Sequence, residues 1–234
     1  GASSTNDGTG IVSLTSGSAG VDIDVSAASG DNGWSITGST GSEVLVGSNN
    51  ADSITGGTGI DTFVFTSGLS ITSGLSIDTV VDFTIADDVA AFSLAALEAA
   101  GAVVAATTLD LTNGLGTSIS AGDAISVLTV AGATTTTSAN VLLYTASTVA
   151  DAAALELALE AAGGLLTVGA TGAISQNDSF VVQYVTAGGQ ERLAIVNASA
   201  AYAAGATIDT VDATDIAIVG TTANLGAANY SFIA

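Results

Sequence analysis

The sequence predicts a mainly β protein in two regions. Residues 1–90 are expected to form a short parallel β-roll with a capping strand. Residues 91–234 are expected to form a β-rich domain with helices near 93–100 and 149–162. Three observations predict this division. A strict nine-residue repeat of glycine turns and apolar positions runs over 38–64. Near residue 91 the texture changes from Gly-Asp turns to alanine-rich stretches and Val/Ile runs. The chain has 234 residues, 48% of them hydrophobic, and a positive mean hydropathy, which suffices for a sizeable core and excludes intrinsic disorder.

The repeat reads GSTGSEVLV, GSNNADSIT and GGTGIDTFV. Its first position is Gly38, Gly47 or Gly56, its sixth Glu43, Asp52 or Asp61, and its eighth Leu45, Ile54 or Phe63. The preceding SGDNGWSIT at 29–37 keeps the turn and Ile36 but carries Trp34 in place of the acid. Six turn residues followed by a three-residue strand make half a coil. Two units then make one coil, so turns 38–43 and 56–61 fall on one edge and 47–52 on the other. The first glycine and the small or turn-tolerant fourth residue (Gly41, Asn50, Gly59) suit backbone angles that β-branched residues resist. The eighth side chain is expected to point inward and stack. Upstream, GVDIDVSAA alternates as a strand would, with Asp22 and Asp24 on its polar face, and reads as the first rungs of the same structure.

In the second region, FSLAALEAAG reads as a short helix ended by Gly101. TVADAAALELALEAAGG reads as a longer helix that opens on a capping pattern at Thr148 and Asp151 and stops at Gly163. Glu156 and Glu160 are like charges four residues apart, read as a solvated face. Strands are expected at 125–130, 141–145, 179–186, 191–197 and 215–219. SFVVQYVTAGGQERLAIVN is the clearest hairpin, turning through Gly188 and Gly189. Arg192 is the only basic residue, and a structural hydrogen bond or ion pair is the expected use of it.

Charge and composition exclude several functions. Against that one base stand 22 acidic residues, a formal net charge of -21. Such a chain has no basic cluster for nucleic acid or an anionic membrane surface, so its natural partner is a cation. His, Cys, Lys, Met and Pro are absent, which removes Ser-His-Asp and Cys-His nucleophiles, imidazole or thiolate zinc sites and Schiff-base lysines. A carboxylate-only glycosidase would lack an aromatic platform, since Trp34 is the sole tryptophan and sits in the repeat. No run of about 18 apolar residues occurs, so membrane insertion by a helix is not expected. The opening GASSTNDGTG has no basic n-region, no apolar h-region and no initiator methionine, and a longer precursor is expected.

The sixth position carries the chemistry. A carboxylate closing a turn, surrounded by carbonyls of its own turn and of the stacked one, supplies hard oxygen ligands of the kind Ca²⁺ favours. Glu43 and Asp61 share an edge and are the best-placed pair to share an ion. Asp52, on the other edge, would use carbonyls with Asp31 or a later aspartate. The carbonyls concerned lie around Gly38, Thr40, Gly47, Asn49, Gly56 and Thr58.

These units resemble the RTX nonapeptide GGxGxDxUx, in which U is a large apolar residue. GGTGIDTFV fits every specified position. The other two units depart at Ser39, Ser48, Asn50 and Glu43. The following GIDTFVFTSG and IDTVVDFTIADD resemble the segment that closes the roll in serralysin-type and related RTX proteins. Asp78, Asp82 and Asp88 occupy its acidic positions. The resemblance implies a Ca²⁺-bound parallel β-roll whose terminal ion site those three residues complete, with weaker or fewer sites where the units depart. The tail from Asp209 resembles the uncleaved C-terminal signal of RTX proteins exported by type I secretion, with the strand Ile216–Val219 and the end Ser231–Ala234 in the corresponding places. The middle block shares its texture with RTX surface proteins.

The expected function is that of a calcium-binding structural protein, not an enzyme, at the bacterial cell surface. It would fold on Ca²⁺ after type I secretion and self-assemble into a layer or fibre, with cell-surface polysaccharide as a further partner. The alternative is a C-terminal secretion and folding module of an RTX protease, lipase or epimerase whose catalytic domain lies upstream.

Overall fold

The computed structural model describes residues 12–17, 19–28, 32–65, 77–95, 110–220 and 224–234. The protein is mainly β, and the repeat sets its first part. β1 (Val12–Thr15), β3 (Trp34–Ser39), β5 (Ser53–Gly57) and β7 (Asp78–Val80) lie side by side and parallel. The strands between them in sequence, β2 (Ile23–Asp24), β4 (Val44–Val46), β6 (Thr62–Phe65) and β8 (Val89–Ser93), form a second parallel row. The chain thus changes sheets after every strand. Ile36 pairs with Ile54 and Leu45 with Phe63, and the turns repeat at a spacing of 18 residues. The spacing widens to 26 and 27 at the last coil.

Ile36, Leu45, Ile54 and Phe63 are fully buried between the two rows, as expected of eighth-position residues. Val80 and Ala90 continue their stacks. Trp34, in an acid's place, is buried in the same core.

The second region extends both rows. β17 (Val211–Val219) pairs parallel with β7 and is followed by β15 (Glu191–Ala198), β14 (Asp178–Thr186), β12 (Val141–Val149) and β10 (Val127–Val130), while β9 (Asp110–Leu111) pairs with β14. The first sheet therefore has ten strands, running unbroken from one region into the other. β18 (Tyr230–Ile233) pairs parallel with β8 and makes the second sheet five-stranded. A small sheet of β11 (Thr134–Thr135), β13 (Leu166–Thr167) and β16 (Thr207–Ile208) and the helix α1 (Ala152–Glu160) lie over the other face of the ten-stranded sheet.

Strands β14 and β15, and Val141–Tyr144 of β12, are buried on both faces, which is why they read as near-continuous apolar runs. On β15, Leu193 and Ile195 face the five-stranded sheet, whereas Ala194, Val196 and Ala198 face α1. The predicted hairpin turns at Gly189, whose φ is +78°. The long helix begins later than its sequence suggests. Thr148 belongs to β12, and Asp151 itself is the N-cap, accepting from the Ala154 amide at 2.9 Å. The helix ends before Gly163, in a short 3-10 turn. Of the helix expected near 93–100, Ser93 closes β8 and residues 96–100 lie outside the described residues.

Candidate functional site: two acidic columns

Each edge of the repeat carries a column of carboxylates that accept main-chain amides from the neighbouring coil. In the first column the Gly20 amide donates to Glu43 Oε1 (2.6 Å), the Glu43 amide to Asp61 Oδ1 (3.0 Å) and the Asp61 amide to Asp88 Oδ1 (2.9 Å). In the second, the Trp34 amide donates to Asp52 Oδ1 (2.6 Å) and the Asp52 amide to Asp78 Oδ1 (2.9 Å). Glu43 and Asp61 therefore share an edge, and Asp52 lies on the other with Asp78. Asp31 falls outside the described residues. All five column acids are buried, with exposures of 1–3%.

Asp82 serves the last coil differently. Its two oxygens accept the Gly56 and Gly57 amides at 2.8 and 2.9 Å. The carbonyl-bearing residues expected around the site fall in the same turns. Gly38 and Thr40 precede Glu43, Gly47 and Asn49 precede Asp52, and Gly56 and Thr58 precede Asp61. The Gly56 carbonyl lies directly against Gly38, where a Cβ would approach it to 2.2 Å.

The departures from the consensus unit have a physical effect. Ser39, in place of a glycine, donates its hydroxyl to Glu43 Oε1 (2.6 Å) and its amide to Oε2 (3.0 Å). Ser48 does the same for Asp52, with its hydroxyl 3.1 Å from Oδ1 and its amide on Oδ2. In the third unit the equivalent residue is Gly57, which has no hydroxyl and gives its amide to Asp82. Asp61 Oδ2 is consequently buried with no hydrogen-bond partner. It faces Gly56, where a Cβ would come within 2.5 Å.

The titration behaviour follows this geometry. Burial raises the pKa of Glu43, but donation from Ser39, from Gly20 and within the Asp61 pair outweighs it, so the net shift is downward. Burial, with the charges of Asp88 and Glu43, pushes Asp61 up to about 6. Asp52, Asp78 and Asp88 are raised chiefly by burial, Asp78 well above its ordinary value with Asp52's charge adding, and Asp88 further by Asp82 and Asp87. Arg192, the sole base, is far from neutralising them. It is bound to Asp215 at 2.5 Å, an ion pair completed by the Tyr184 hydroxyl on Asp215.

Among the described residues no three acidic side chains converge into a ready metal cage. Any ion at these columns would take one or two carboxylates and draw its other ligands from turn carbonyls and water. The orphaned Asp61 oxygen, in a cradle only glycine leaves open, fits such a ligand; Glu43 and Asp52, already saturated by serine donors, fit it less well.

Of the fourth-position residues, only Gly59 has a positive φ, +132°. Gly41 is required by space instead, since a Cβ there would lie 2.4 Å from the Gly20 amide nitrogen. Asn50 keeps negative φ and donates its side-chain amide to the Asn32 carbonyl (3.3 Å).

Two further contributions carry no strong sequence signal. Asn229, just before β18, donates to the carbonyls of Ile85 (2.8 Å) and Asp88 (3.0 Å), tying the chain end to the loop that presents Asp82 and Asp88. Glu156 and Glu160 are not a solvated face. They accept the amides of Ala213 (3.3 Å) and Val211 (2.8 Å), along the part of β17 that runs beyond its pairing with β7. Four residues of helix and two of strand advance by nearly the same distance, about 6–7 Å, so the two spacings match.

No family model matches this chain, and the comparisons with curated proteins and with solved structures find no match to it.

Proposed function

We propose that strands β1 to β8 form a parallel β-roll that folds on Ca²⁺, and that the chain is an extracellular structural protein of the RTX type. The observation that carries the calcium reading is Asp61. It is a buried carboxylate with one oxygen unpartnered, in the unit that fits the RTX consensus throughout, beside Asp82 and Asp88 and without a basic side chain to offset it. The alternation of strands between two parallel rows and the 18-residue register support the roll.

The mechanism is a charge switch. Without a cation, burial and mutual repulsion disfavour the ionised columns, and the glycine-rich turns carry a large entropy cost on ordering. A hard divalent ion supplies the missing positive charge and binds the folded state alone, so its binding free energy adds to stability. In this reading type I export delivers the chain in a low-calcium, unfolded form, and folding follows outside. There the acidic faces would bridge to other copies, and to surface polysaccharide, through further ions.

The sign of the pH effect distinguishes this account from simple packing. Asp61's folded pKa, about 6, lies above its ordinary 3.8. In chelator, Asp61's contribution to stability is therefore greatest below about pH 4 and is lost as pH rises through about 6, whereas Glu43, shifted down, contributes with the opposite sign at acid pH. Calcium should abolish that loss. Thermal unfolding at pH 5 and 7.5, in chelator and in millimolar Ca²⁺, is the test. Asp61→Asn should be the more stable protein in chelator at pH 7.5, by on the order of 1 kcal/mol, and should lose most of the calcium response. Equal calcium responses in Asp61→Asn and the parent would refute the assignment.

The covering of the last coil by β17 and β18 favours a second reading, a C-terminal folding and export module of a larger enzyme. Electron microscopy in Ca²⁺ and in chelator separates the two. Sheets or filaments that vanish on chelation support the structural protein, and dispersed particles in both support the module.

A further inference from the structure

The C-terminal strand β18 is held by more than its ladder with β8. Its Tyr230 hydroxyl donates to Gln183 Oε1 on β14, and the same amide's Nε2 donates to Glu191 Oε1 on β15. Glu191 and Gln183 are fully buried and Tyr230 nearly so. Glu191 Oε2 has no hydrogen-bond partner.

The groups packed around that carboxyl are few. β14 presents the neutral Gln183, β18 presents Tyr230, and on β17 the cross-strand residue is Val219. Tyr230 is the titratable group among them, and burial followed by Glu191's charge pushes its hydroxyl further up. Arg192, the next residue, points to the opposite face of the sheet, where Asp215 and Tyr184 engage it. No cation therefore compensates an ionised Glu191.

We propose that docking of the C-terminal strand takes up one proton at Glu191, so that β18 is clasped by a neutral carboxyl and loosens when that carboxyl ionises. The neutral acid keeps Oε1 as acceptor for Gln183 and removes the uncompensated buried charge. Leaving β18 undocked opens the Gln183–Glu191 pair to water, where the carboxyl returns to its ordinary range. Burial holds it at about 7 when docked, against 4.5 in water. The docking constant should fall as pH rises from about 4.5 to about 7, by up to tenfold per pH unit, and level off above. The device matters because β18 covers the edge of β8, is itself capped by the Gly122 amide on the Phe232 carbonyl (2.9 Å), and adjoins Asn229 on the Asp88 loop.

Amide hydrogen exchange of the whole chain between pH 5 and 8, corrected for intrinsic exchange, tests this. Protection at Tyr230–Ile233 should decline across the window more steeply than at Val141–Tyr144 of β12, which reports opening of the core. Glu191→Gln should flatten the β18 profile and exceed the parent at pH 8. Tyr230→Phe, which keeps the carboxyl and removes the donor to Gln183, should lower β18 protection by a constant factor and retain the slope. Parallel profiles for Glu191→Gln and the parent would overturn the proposal. If Glu191→Gln does not fold, a parent β18 profile that follows β12 at every pH overturns it, and a steeper one supports it.

Discussion

The strands of residues 12–93 and those of 110–220 share one ten-stranded sheet yet are held in different ways. In the first, each strand is short, offers one or two inward apolar side chains, and is joined to its neighbours along the edges by buried carboxylates on main-chain amides. In the second, strands β14 and β15 carry buried side chains on both faces, and buried polar groups such as Gln183, Glu191 and Asp215 bond to side chains of other strands rather than to the amides of stacked turns. A period of short units spreads stability over repeated carboxylate–amide contacts along its edges. Two-sided packing concentrates it in the core.

The largest expected effects lie in the cores. Phe63→Ala and Phe180→Ala each empty a fully buried aromatic site, and each should cost about 3–5 kcal/mol. The comparison predicts a difference between them. Calcium should restore much of the lost stability in Phe63→Ala and little in Phe180→Ala, as read by the midpoint of denaturant unfolding with and without the ion. Equal restoration would mean that the two regions respond as one.

Gly59→Ala comes next. Its Cβ would meet the Gly41 carbonyl at 2.0 Å, on backbone at φ +132°. A loss of about 2–3 kcal/mol is expected, with exchange rising across 38–65 before it rises in β12 and β14. Asn229→Ala removes two buried donors to the 85–88 loop and should cost about 1–2 kcal/mol. Its sharper signature is lower calcium affinity at unchanged β14 protection. Glu160→Ala leaves the Val211 amide without its acceptor and should cost about 1 kcal/mol, with no calcium dependence, in the same unfolding assay.

The apolar positions and edges of the repeat were legible because their signal is local. The position of Leu45, Ile54 or Phe63 within nine residues fixes which way the side chain points, and the shared edge of Glu43 and Asp61 follows from two units per coil. The strands around Phe180, Leu193 and Ile216 were legible as apolar runs, but not their order. Nothing in the residues of β17 says that it joins β7, because parallel edges form between segments far apart in sequence. The role of Ser39 and Ser48 was hidden for a related reason. They read as weakened glycine positions until the coil folds each over its own carboxylate. Glu156 and Glu160 looked like solvated charges because their acceptor role depends on a strand more than fifty residues away. The carboxyl of Glu191 was masked by its neighbour Arg192, which lies beside it in sequence and on the other face of the sheet in the fold.

The central claim is that calcium folds the first region and that the second does not need it. Hydrogen exchange by mass spectrometry, at pH 7.5 in chelator and in millimolar Ca²⁺, tests it most directly. The account predicts that segments within 32–65 and 77–93 gain protection by orders of magnitude on adding calcium, while β12, β14 and β15 change little. Equal protection of 32–65 in both solutions would contradict it, and the acidic columns would then be purely structural acceptors for the stacked turns.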